Sequence, residues 1–249
     1  MFALNYPRPM SKSLRVLAAL LSYPDAPHRS VLAELSAVLK DERAISALRQ
    51  QELAALIDRL QRTDALQAES DYVELFDRGR STSLHLFEHV HGDSRERGPA
   101  MIDLGQTYEK AGLILAEGEL PDYLPAVLEF VSTQPPSEAK AFLGEMSHIF
   151  NAIFGALLQQ GSGFASGYAS VLGALLELAG EKAEPVTPPA EPPLDESWAE
   201  PVVFDGCSSK GQAKPGQPQT MHIVRKPKMV NGQGQGQGQA QGQAQGVAP

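Results

Sequence analysis

The run SLHLFEHVHG, residues 83–92, holds the side chains best suited to chemistry. His85, Glu88 and His89 fit the H-x-x-E-H pattern, in which two histidines bind zinc and a glutamate acts as general base. His91 follows two residues later. A zinc-dependent hydrolase is therefore one interpretation, although a catalytic zinc needs a third protein ligand, commonly a carboxylate from a second helix. The competing interpretation is a set of hydrogen-bonded side chains within a layer of packed helices.

The composition of the chain limits its partners. Of the 249 residues, 42% are hydrophobic and only 6% are aromatic, and the formal net charge is −9. Residues 1–183 carry 24 acidic and 16 basic residues, a net charge of −8. A nucleic-acid-binding protein normally presents a basic face, so we expect no nucleic-acid partner. An acidic domain attracts cationic partners instead.

Neither a disulfide nor a membrane segment is expected. Cys207 is the only cysteine, which allows no intramolecular disulfide and no cysteine-based metal cage. The apolar run at 16–21 is shorter than a secretory hydrophobic region, and no stretch approaches the ~20 residues of a spanning helix. The sequence predicts a cytoplasmic protein without direct membrane insertion.

The composition changes sharply near Glu184. Beyond it lie proline-rich segments, a short island LDESWAEPVVF and a terminal Gly-Gln repeat. Such segments have too little apolar surface to offset the entropy of ordering, so 184–249 is predicted to be a disordered tail. Residues 1–183 are predicted to form one domain.

Apolar residues at helical spacing run through the first domain, and the only β-like piece, 202–204, lies in the tail. The fold class is therefore all-α, a single domain resembling a helical bundle. The first predicted helix ends near Pro24. The others cover about 27–39, 45–60, 64–76, 85–91, 99–117, 121–134, 137–160 and 164–179. Residues expected to face inward include Leu14, Leu17, Leu20, Leu21, Val31, Leu32, Leu48, Leu66, Val73, Phe76 and Ile102.

Charged clusters flank the histidine run. Asp77, Arg78 and Arg80 precede it, and Arg95 and Arg97 follow it. We expect these arginines to tie loops together through neighbouring carboxylates such as Glu88. A contact with a cofactor phosphate or with a partner protein is the alternative.

The segment YVELFDRGR, residues 72–80, with its continuation STSLHLFEHVHGDSRERG to residue 98, resembles the central motif of the nitrate reductase delta-subunit family, the NarJ-type molybdoenzyme assembly chaperones. LLSYP at 20–24 and ELPDYLPAVLEF at 119–130 resemble the same family. The resemblance covers about residues 14–180. It implies a helical chaperone domain, no catalysis, and a coincidental H-x-x-E-H pattern.

The resemblance also implies a client, the catalytic subunit of respiratory nitrate reductase. Family members bind the N-terminal segment of the apo subunit and keep it competent for molybdenum cofactor insertion before membrane docking. No permanently bound cofactor or metal is expected, and cofactor-biosynthesis proteins are further possible partners. A same-fold chaperone for another molybdoenzyme is the main alternative. Relatives often carry histidine after the aspartate of the Pro-Asp motif, whereas this chain has Tyr123.

A basic, amphipathic client segment would need a groove with an apolar floor and an acidic rim. The floor candidates are Tyr72, Phe76, Leu104, Tyr108, Tyr123 and Leu124. The rim candidates are Asp103, Glu109, Glu117, Glu119 and Asp122. For Asp122 the alternative is that it only caps the helix that begins beside Pro121. For the floor residues the competing interpretation is ordinary core packing. For the rim residues it is an acidic face that is merely solvated. The motif residues Asp77, Arg78, Arg80, His85, Glu88, His89, His91, Arg95 and Arg97 are expected to be structural or to contact the client.

The tail contains one apolar island, from Trp198 to Phe204, flanked by acids. It could compete with the client for the groove, or it could be a linker that binds nothing.

Overall fold

The computed structural model describes residues 9–92, 94–161 and 163–184, and the described residues form helices and loops. The all-α prediction is confirmed. Backbone pairing of the β type occurs there only as an isolated antiparallel bridge between His85 and Tyr123. In chain order the helices are α1 Ser11–Leu21, α2 Ala26–Glu42, α3 Ala47–Arg62, α4 Ala65–Phe76, a 3₁₀ turn Arg80–Thr82, α5 Leu86–Val90, α6 Arg97–Lys110, α7 Leu124–Ser132, α8 Pro136–Glu145, α9 Ser147–Gln159 and α10 Gly163–Ala179.

The predicted tail lies outside the described residues apart from Glu184, so its disorder and the boundary at 183 remain predictions. The β-like piece at 202–204 and the island Trp198–Phe204 also lie outside them.

Helix α10 is the centre of the core. Thirteen of its 17 residues are buried, because it packs against α9, α3, α8 and α1. A helix that is apolar nearly all round is stable only when neighbours surround it. Gly180 ends α10 in the left-handed region at φ +86°, the stop that the sequence predicts.

Helix α1 joins the core to α7. Leu14, Leu17 and Leu21 are fully buried, as their spacing predicts. Helices α1 and α7 pack together, and Ser11 Oγ donates to the Ser132 carbonyl at 2.6 Å. The position of α7 therefore depends on α1 as well as on the loop that precedes α7.

Side-chain caps set the starts of α2, α3 and α4, at Asp25, Ser46 and Asp64. The Asp64 carboxylate accepts from the backbone N–H of Leu66 at 3.1 Å, which confirms the predicted cap of α4. Asp25 accepts in the same way from the N–H of His28 at 2.9 Å at the start of α2.

Several apolar residues predicted to face inward are exposed: Val31, Leu48, Leu66, Val73 and Ile102. Each lies on a helix that is oriented by other, buried positions, such as Leu32 and Leu39 on α2 and Tyr108 on α6, so these side chains point to solvent. Exposed apolar residues are common on protein surfaces, which is why periodicity alone does not separate the two sets.

The long helix predicted at 137–160 is wrong, since α8 and α9 meet at a 60° bend. Apolar spacing continues through Met146, but Gly144 precedes the bend and Ser147 follows it, a common setting for a helix kink. The Glu145 carbonyl, released from the helix ladder, instead lies 3.1 Å from His148 Nδ1.

No single helix in the described ranges is long and apolar enough to cross a membrane. The bent pair α8 and α9 meets that requirement together, by length and composition only.

Two buried tyrosines offer a test of hydrogen bonding in the core. The Tyr72 hydroxyl donates to the Leu21 carbonyl at 2.8 Å, whereas the Tyr168 hydroxyl has no partner among the described residues. Tyr72→Phe leaves a buried carbonyl unpaired and should lower the free energy of unfolding by about 1–3 kcal/mol. Tyr168→Phe removes an unpaired group and should be neutral or stabilising by about 1 kcal/mol. Urea unfolding of the two variants measures the difference, and equal destabilisation would contradict it.

Candidate functional site

The Asp122 carboxylate is the most buried acidic group of the motif region, with no exposed surface. Its Oδ2 accepts from the backbone N–H of Phe87 at 3.1 Å, and its Oδ1 lies 3.3 Å from His85 Nδ1. Arg97 Nη2 lies 3.9 Å from Oδ2. A buried carboxylate needs such partners, because an unpaired charge in the interior is very unfavourable.

Backbone hydrogen bonds join the same two segments. The N–H of Leu86 donates to the Asp122 carbonyl at 3.0 Å, and the N–H of Leu124 donates to the Leu84 carbonyl at 2.8 Å. These bonds form the bridge between His85 and Tyr123. The loop before α7 is therefore fixed to the loop before α5 through main chain and side chain together.

Asp122 fits neither of the two alternatives that the sequence offers for it. It does not cap α7, whose N-cap residue is Tyr123 and has no side-chain cap bond, because the helix begins at Leu124. It caps α5 instead, across 35 residues of sequence, at the Phe87 N–H. Its burial also places it below the surface, where it cannot form part of an exposed acidic rim.

The histidines of the H-x-x-E-H pattern point to different partners. His85 is extended and precedes α5, so His85 and His89 do not share one helical turn as predicted. His89 Nε2 lies 2.8 Å from the Ser83 carbonyl, and the His91 ring packs on Phe87 with centroids 5.3 Å apart. Within 9–92, 94–161 and 163–184, no three His, Cys, Asp or Glu side chains lie together as a metal site requires. The positions of these side chains therefore match the second interpretation, a set of hydrogen-bonded side chains within a layer of packed helices.

The pKa values of His85 and His89 shift in opposite directions, because hydrogen bonding dominates at His85 and burial dominates at His89. The hydrogen bond with Asp122 raises the pKa of His85, against a smaller opposing effect of burial. Burial lowers the pKa of His89, because desolvation disfavours the imidazolium. Lower pH thus favours the charged pair of His85 with Asp122 and opposes the buried position of His89.

The arginines of the motif differ in position, since Arg97 joins two helices whereas Arg78 and Arg95 lie on the surface. Arg97 Nη2 lies 3.5 Å from Glu88 Oε1, a predicted pairing that joins α6 to α5. Arg78 pairs with Glu74 at 2.6 Å on the surface, and Arg95 is exposed. Arg80 Nη1 lies near Gly92, where a Cβ would be 3.6 Å away.

The exposed carboxylate Asp77 follows α4, and its backbone N–H donates to the Val73 carbonyl at 3.0 Å. Asp77 thus lies at the end of α4. Among the described residues, the predicted ion pair of Arg97 with Glu88 is present, whereas no ion pair of Asp77 is seen.

Four of the predicted floor residues are buried in the core, and one of them, Tyr108, also lines a surface groove; the four are Tyr72, Phe76, Tyr108 and Leu124. Tyr72 and Phe76 are 4% exposed, and the Phe76 ring packs on Tyr168 with centroids 5.0 Å apart. The Tyr72 hydroxyl lies 3.0 Å from that of Tyr123, which is only partly buried. In the described chain, Tyr72 and Phe76 form a wall behind Tyr123 and not an open floor.

Tyr108 and Glu119 lie together at a surface groove of about 460 Å³, which we term the α6–α7 groove. The Tyr108 hydroxyl donates to the Pro121 carbonyl at 2.7 Å, and its ring packs on Phe130 at 4.9 Å. Helix α6 ends at Lys110 and not near residue 117 as predicted, so 111–120 is a loop that forms one side of this groove. The lining residues are Arg15, Tyr108, Leu113, Ile114, Leu115, Ala116, Glu119, Ala126, Glu129, Phe130 and Thr133.

The sequence prediction missed most of the α6–α7 groove. Ile114, which lines the groove, is 91% exposed. A signal was present in the sequence, since Leu113-Ile114-Leu115 is an apolar run between two glycines, Gly112 and Gly118, that disfavour a continuing helix. An exposed apolar run in such a loop is typical of a binding surface.

The family follows from sequence comparison. The model of the family described as nitrate reductase delta subunit matches residues 41–170, which include the whole of α3–α9. The chain belongs to this family, as the resemblance of residues 72–98 predicts.

Relatives of known name agree with that assignment. The chain is 45% identical over 150 residues to the nitrate reductase molybdenum cofactor assembly chaperone NarJ of Escherichia coli strain K12, covering 59% of this chain and 62% of the relative. It is 33% identical over 128 residues to a Bacillus subtilis protein named "Probable nitrate reductase molybdenum cofactor assembly chaperone NarJ", covering 50% and 67%. The chain thus spans about 62% of the E. coli relative's length. These names describe assembly chaperones and not catalysts.

A crystal structure of an Archaeoglobus fulgidus protein assigned to redox enzyme maturation shares the fold. The TM-score is 0.51 at 20% identity, covering 71% of this chain and 99% of the other. At that identity the likeness supports the helical fold alone.

Asp122 should be essential to local stability. Asp122→Ala leaves the Phe87 N–H without its acceptor and Arg97 and His85 without their shared carboxylate, so the free energy of unfolding should fall by about 2–3 kcal/mol. Asp103→Ala, at an exposed carboxylate on α6, is the matched control and should change it by less than about 0.5 kcal/mol. Denaturant unfolding compares them. A near-neutral Asp122→Ala would show that the carboxylate does not hold the two loops together.

The two histidines should give stability profiles of opposite sign. The raised pKa of His85 contributes stability that is fully present below the unfolded value, about pH 6.5, and is lost as pH rises through the folded value. His85→Gln should therefore cost more stability at acidic than at alkaline pH, with an effect moderated by partial exposure. The lowered pKa of His89 has the reverse sign, so His89→Gln should cost more at alkaline pH. His148→Gln, at an exposed histidine, is the control, and parallel profiles for the first two variants would contradict the assignment.

Proposed function

We propose that this protein is an assembly chaperone for respiratory nitrate reductase. It acts in the cytoplasm, binds the N-terminal segment of the apo catalytic subunit and holds that subunit competent for insertion of molybdenum cofactor before membrane docking. Membership of the delta-subunit family and the names of the E. coli and B. subtilis relatives support this role. The cofactor is cargo destined for the client and not a resident group of the chaperone.

The observation that carries the proposal is the α6–α7 groove. Its floor is apolar, formed by Tyr108, Leu115 and Phe130, and the exposed Ile114 stands beside it. Apolar side chains on one face of an amphipathic helix fit such a floor, which is the helix-in-groove mode of recognition.

The charges at the groove suit a basic segment. Glu119 and Glu129 line it and are both exposed. Arg15 also lines the groove, but its Nε donates to Ser132 Oγ at 3.1 Å, so one of its donors is already occupied. Basic residues of the client would pair with the two glutamates, and the surrounding acidic domain would speed the encounter at low salt.

Helix α6 owes its placement to few contacts. Tyr108 is its only fully buried residue, and Ile102 on the same helix is 62% exposed. A helix held this lightly can shift when a client segment enters the groove, since elements with few buried contacts open at low cost. The bond from Tyr108 to Pro121 would then be the pivot.

The test is a calorimetric titration of the full chain with a synthetic peptide of the catalytic subunit's N-terminus. Glu119→Lys combined with Glu129→Lys should weaken binding by about tenfold or more at low salt, because two attractive contacts become repulsive. The control is Glu109→Lys, an exposed acid on α6 that does not line the groove. It changes the net charge but should alter the affinity little.

Two results would contradict the proposal. Equal weakening by the control would show that net charge alone attracts the peptide. Absence of binding at every salt concentration would direct attention to a different molybdoenzyme client, which peptides from other catalytic subunits would identify.

A further inference from the structure

Arg15 of α1 lies where two surface grooves meet. It lines the α6–α7 groove, and it also lines a second groove of about 550 Å³ between α1 and α2, which we term the α1–α2 groove. The proposed function gives this cation no role. The other residues that line the α1–α2 groove are Lys12, Val16, Leu35, Ala37, Val38 and Asp41.

The Arg15 side chain is held at the C-terminal end of α7. Its Nε donates to Ser132 Oγ at 3.1 Å, and that hydroxyl donates to the Glu129 carbonyl at 2.6 Å. Ser132 is the last residue of α7. A guanidinium group has donors on all three of its nitrogens, so those on the two Nη atoms of Arg15 can serve a ligand.

Glu119 lies at the opposite end of the α6–α7 groove. The loop that carries it leads into α7 through Tyr123, the N-cap residue of that helix. Burial raises the pKa of Tyr123, and the nearby charge of Glu119 raises it further. Because α7 rises about 12 Å from Leu124 to Ser132, Glu119 and Arg15 mark an acidic end and a basic end of one groove.

The charges that line the two grooves leave Arg15 without a carboxylate partner. In the α6–α7 groove they are Glu119, Glu129 and Arg15, and Arg15 forms no ion pair among the described residues. In the α1–α2 groove, Lys12 pairs with Asp41 at 3.0 Å. Glu129 lies in the second half of α7, so the order of charges along that helix is acid, acid, base.

A helical client segment has a polarity that matches this order. The N-terminal end of a helix carries a partial positive charge and the C-terminal end a partial negative charge. An N-terminal segment also begins with an α-amino group, which is largely protonated at neutral pH. The last four carbonyls of the helix have no partner within it and accept hydrogen bonds from donors such as a guanidinium group.

The dipole of α7 opposes this direction, because two neighbouring helices are more favourably placed antiparallel than parallel. The opposition is weak, since each end of α7 acts as about half a charge whereas Glu119 and Arg15 carry full charges. Arg15 also lies at the C-terminal end of α7 and offsets the negative charge there.

We propose that Arg15 sets the direction in which the client segment binds, an inference that rests on the proposed function. The client helix lies along α7, with its first turn at Glu119 and its last carbonyls at Arg15. The residues that follow the helix pass over Arg15 onto the apolar lining of the α1–α2 groove, formed by Val16, Leu35 and Val38. The reverse direction is disfavoured, because it would place the client's α-amino group against Arg15.

Photo-crosslinking of the full chain maps this direction. Two versions of the catalytic subunit's N-terminal peptide each carry one benzophenone, either beside the free amino terminus or at the last residue. Mass spectrometry of the digested products then identifies the labelled segments. The first probe should label 111–120, and the second should label the residues of α1 and α2 that line the α1–α2 groove. The opposite assignment, or labelling of one end by both probes, would overturn the proposal.

Exchanging the charges at the two ends of the groove should reverse the labelling. Arg15→Glu combined with Glu119→Lys keeps the net charge and inverts the polarity. Arg62→Glu combined with Glu109→Lys is the matched control, since it makes the same exchange at two exposed positions that line neither groove. The control should label as the unaltered chain does. Labelling that does not respond to the exchange within the groove would show that Arg15 does not set the direction.

Arg15→Gln provides a second test that does not depend on the double variant. It removes the charge but keeps a side-chain donor that can reach Ser132. The affinity for the peptide should fall about two- to fivefold, the range expected for a charge at a helix end, and each probe should label both ends. Unchanged affinity together with unchanged labelling would contradict the proposal. Circular dichroism checks that each variant keeps its fold.

Failure of the proposed function would give a different result. A peptide that labels neither groove and gives no heat on titration would contradict the client site and the direction together. Heat on titration with labelling in the reverse order would contradict the direction alone.

Discussion

The structure around the candidate site depends on one buried carboxylate. Asp122 is fully enclosed, and it holds the start of α5 through the Phe87 N–H, the His85 ring through Nδ1 and the guanidinium of Arg97 at longer range. Burying a carboxylate is unfavourable unless partners surround it, so these partners are held as a group. The histidine run, α6 and the loop before α7 are thus joined at a single point.

The shape of the α6–α7 groove depends on these contacts around Asp122. Asp122 follows Pro121, whose carbonyl accepts from the Tyr108 hydroxyl at 2.7 Å, and Leu124 begins α7 directly after the bridge. The groove floor therefore has one side fixed by the buried carboxylate. The other side, the loop 111–120, exposes Ile114 and has few buried residues. A fixed wall facing a lightly held one suits the proposed binding and later release of a helical client segment.

Local sequence signals predicted much of the fold, because helix caps and apolar spacing act over a few residues. Asp64 and Gly180 were recognisable as a start and a stop, and α1 was recognisable from its buried leucines. The bend at Met146 was not, since apolar spacing runs through it. The role of Asp122 was also missed, because its main partner lies 35 residues away, and no periodicity reports such a contact. The α6–α7 groove required the same kind of long-range information.

Hydrogen exchange of the full chain, with and without the N-terminal peptide of the proposed client, shows directly whether the α6–α7 groove binds that peptide. We expect new protection concentrated in 108–130, which comprises the end of α6, the following loop and most of α7, while α3 and α10 exchange as before. Protection confined to α3, α9 and α10, or no change at any segment under saturating peptide, would contradict the assignment of the α6–α7 groove as the client site.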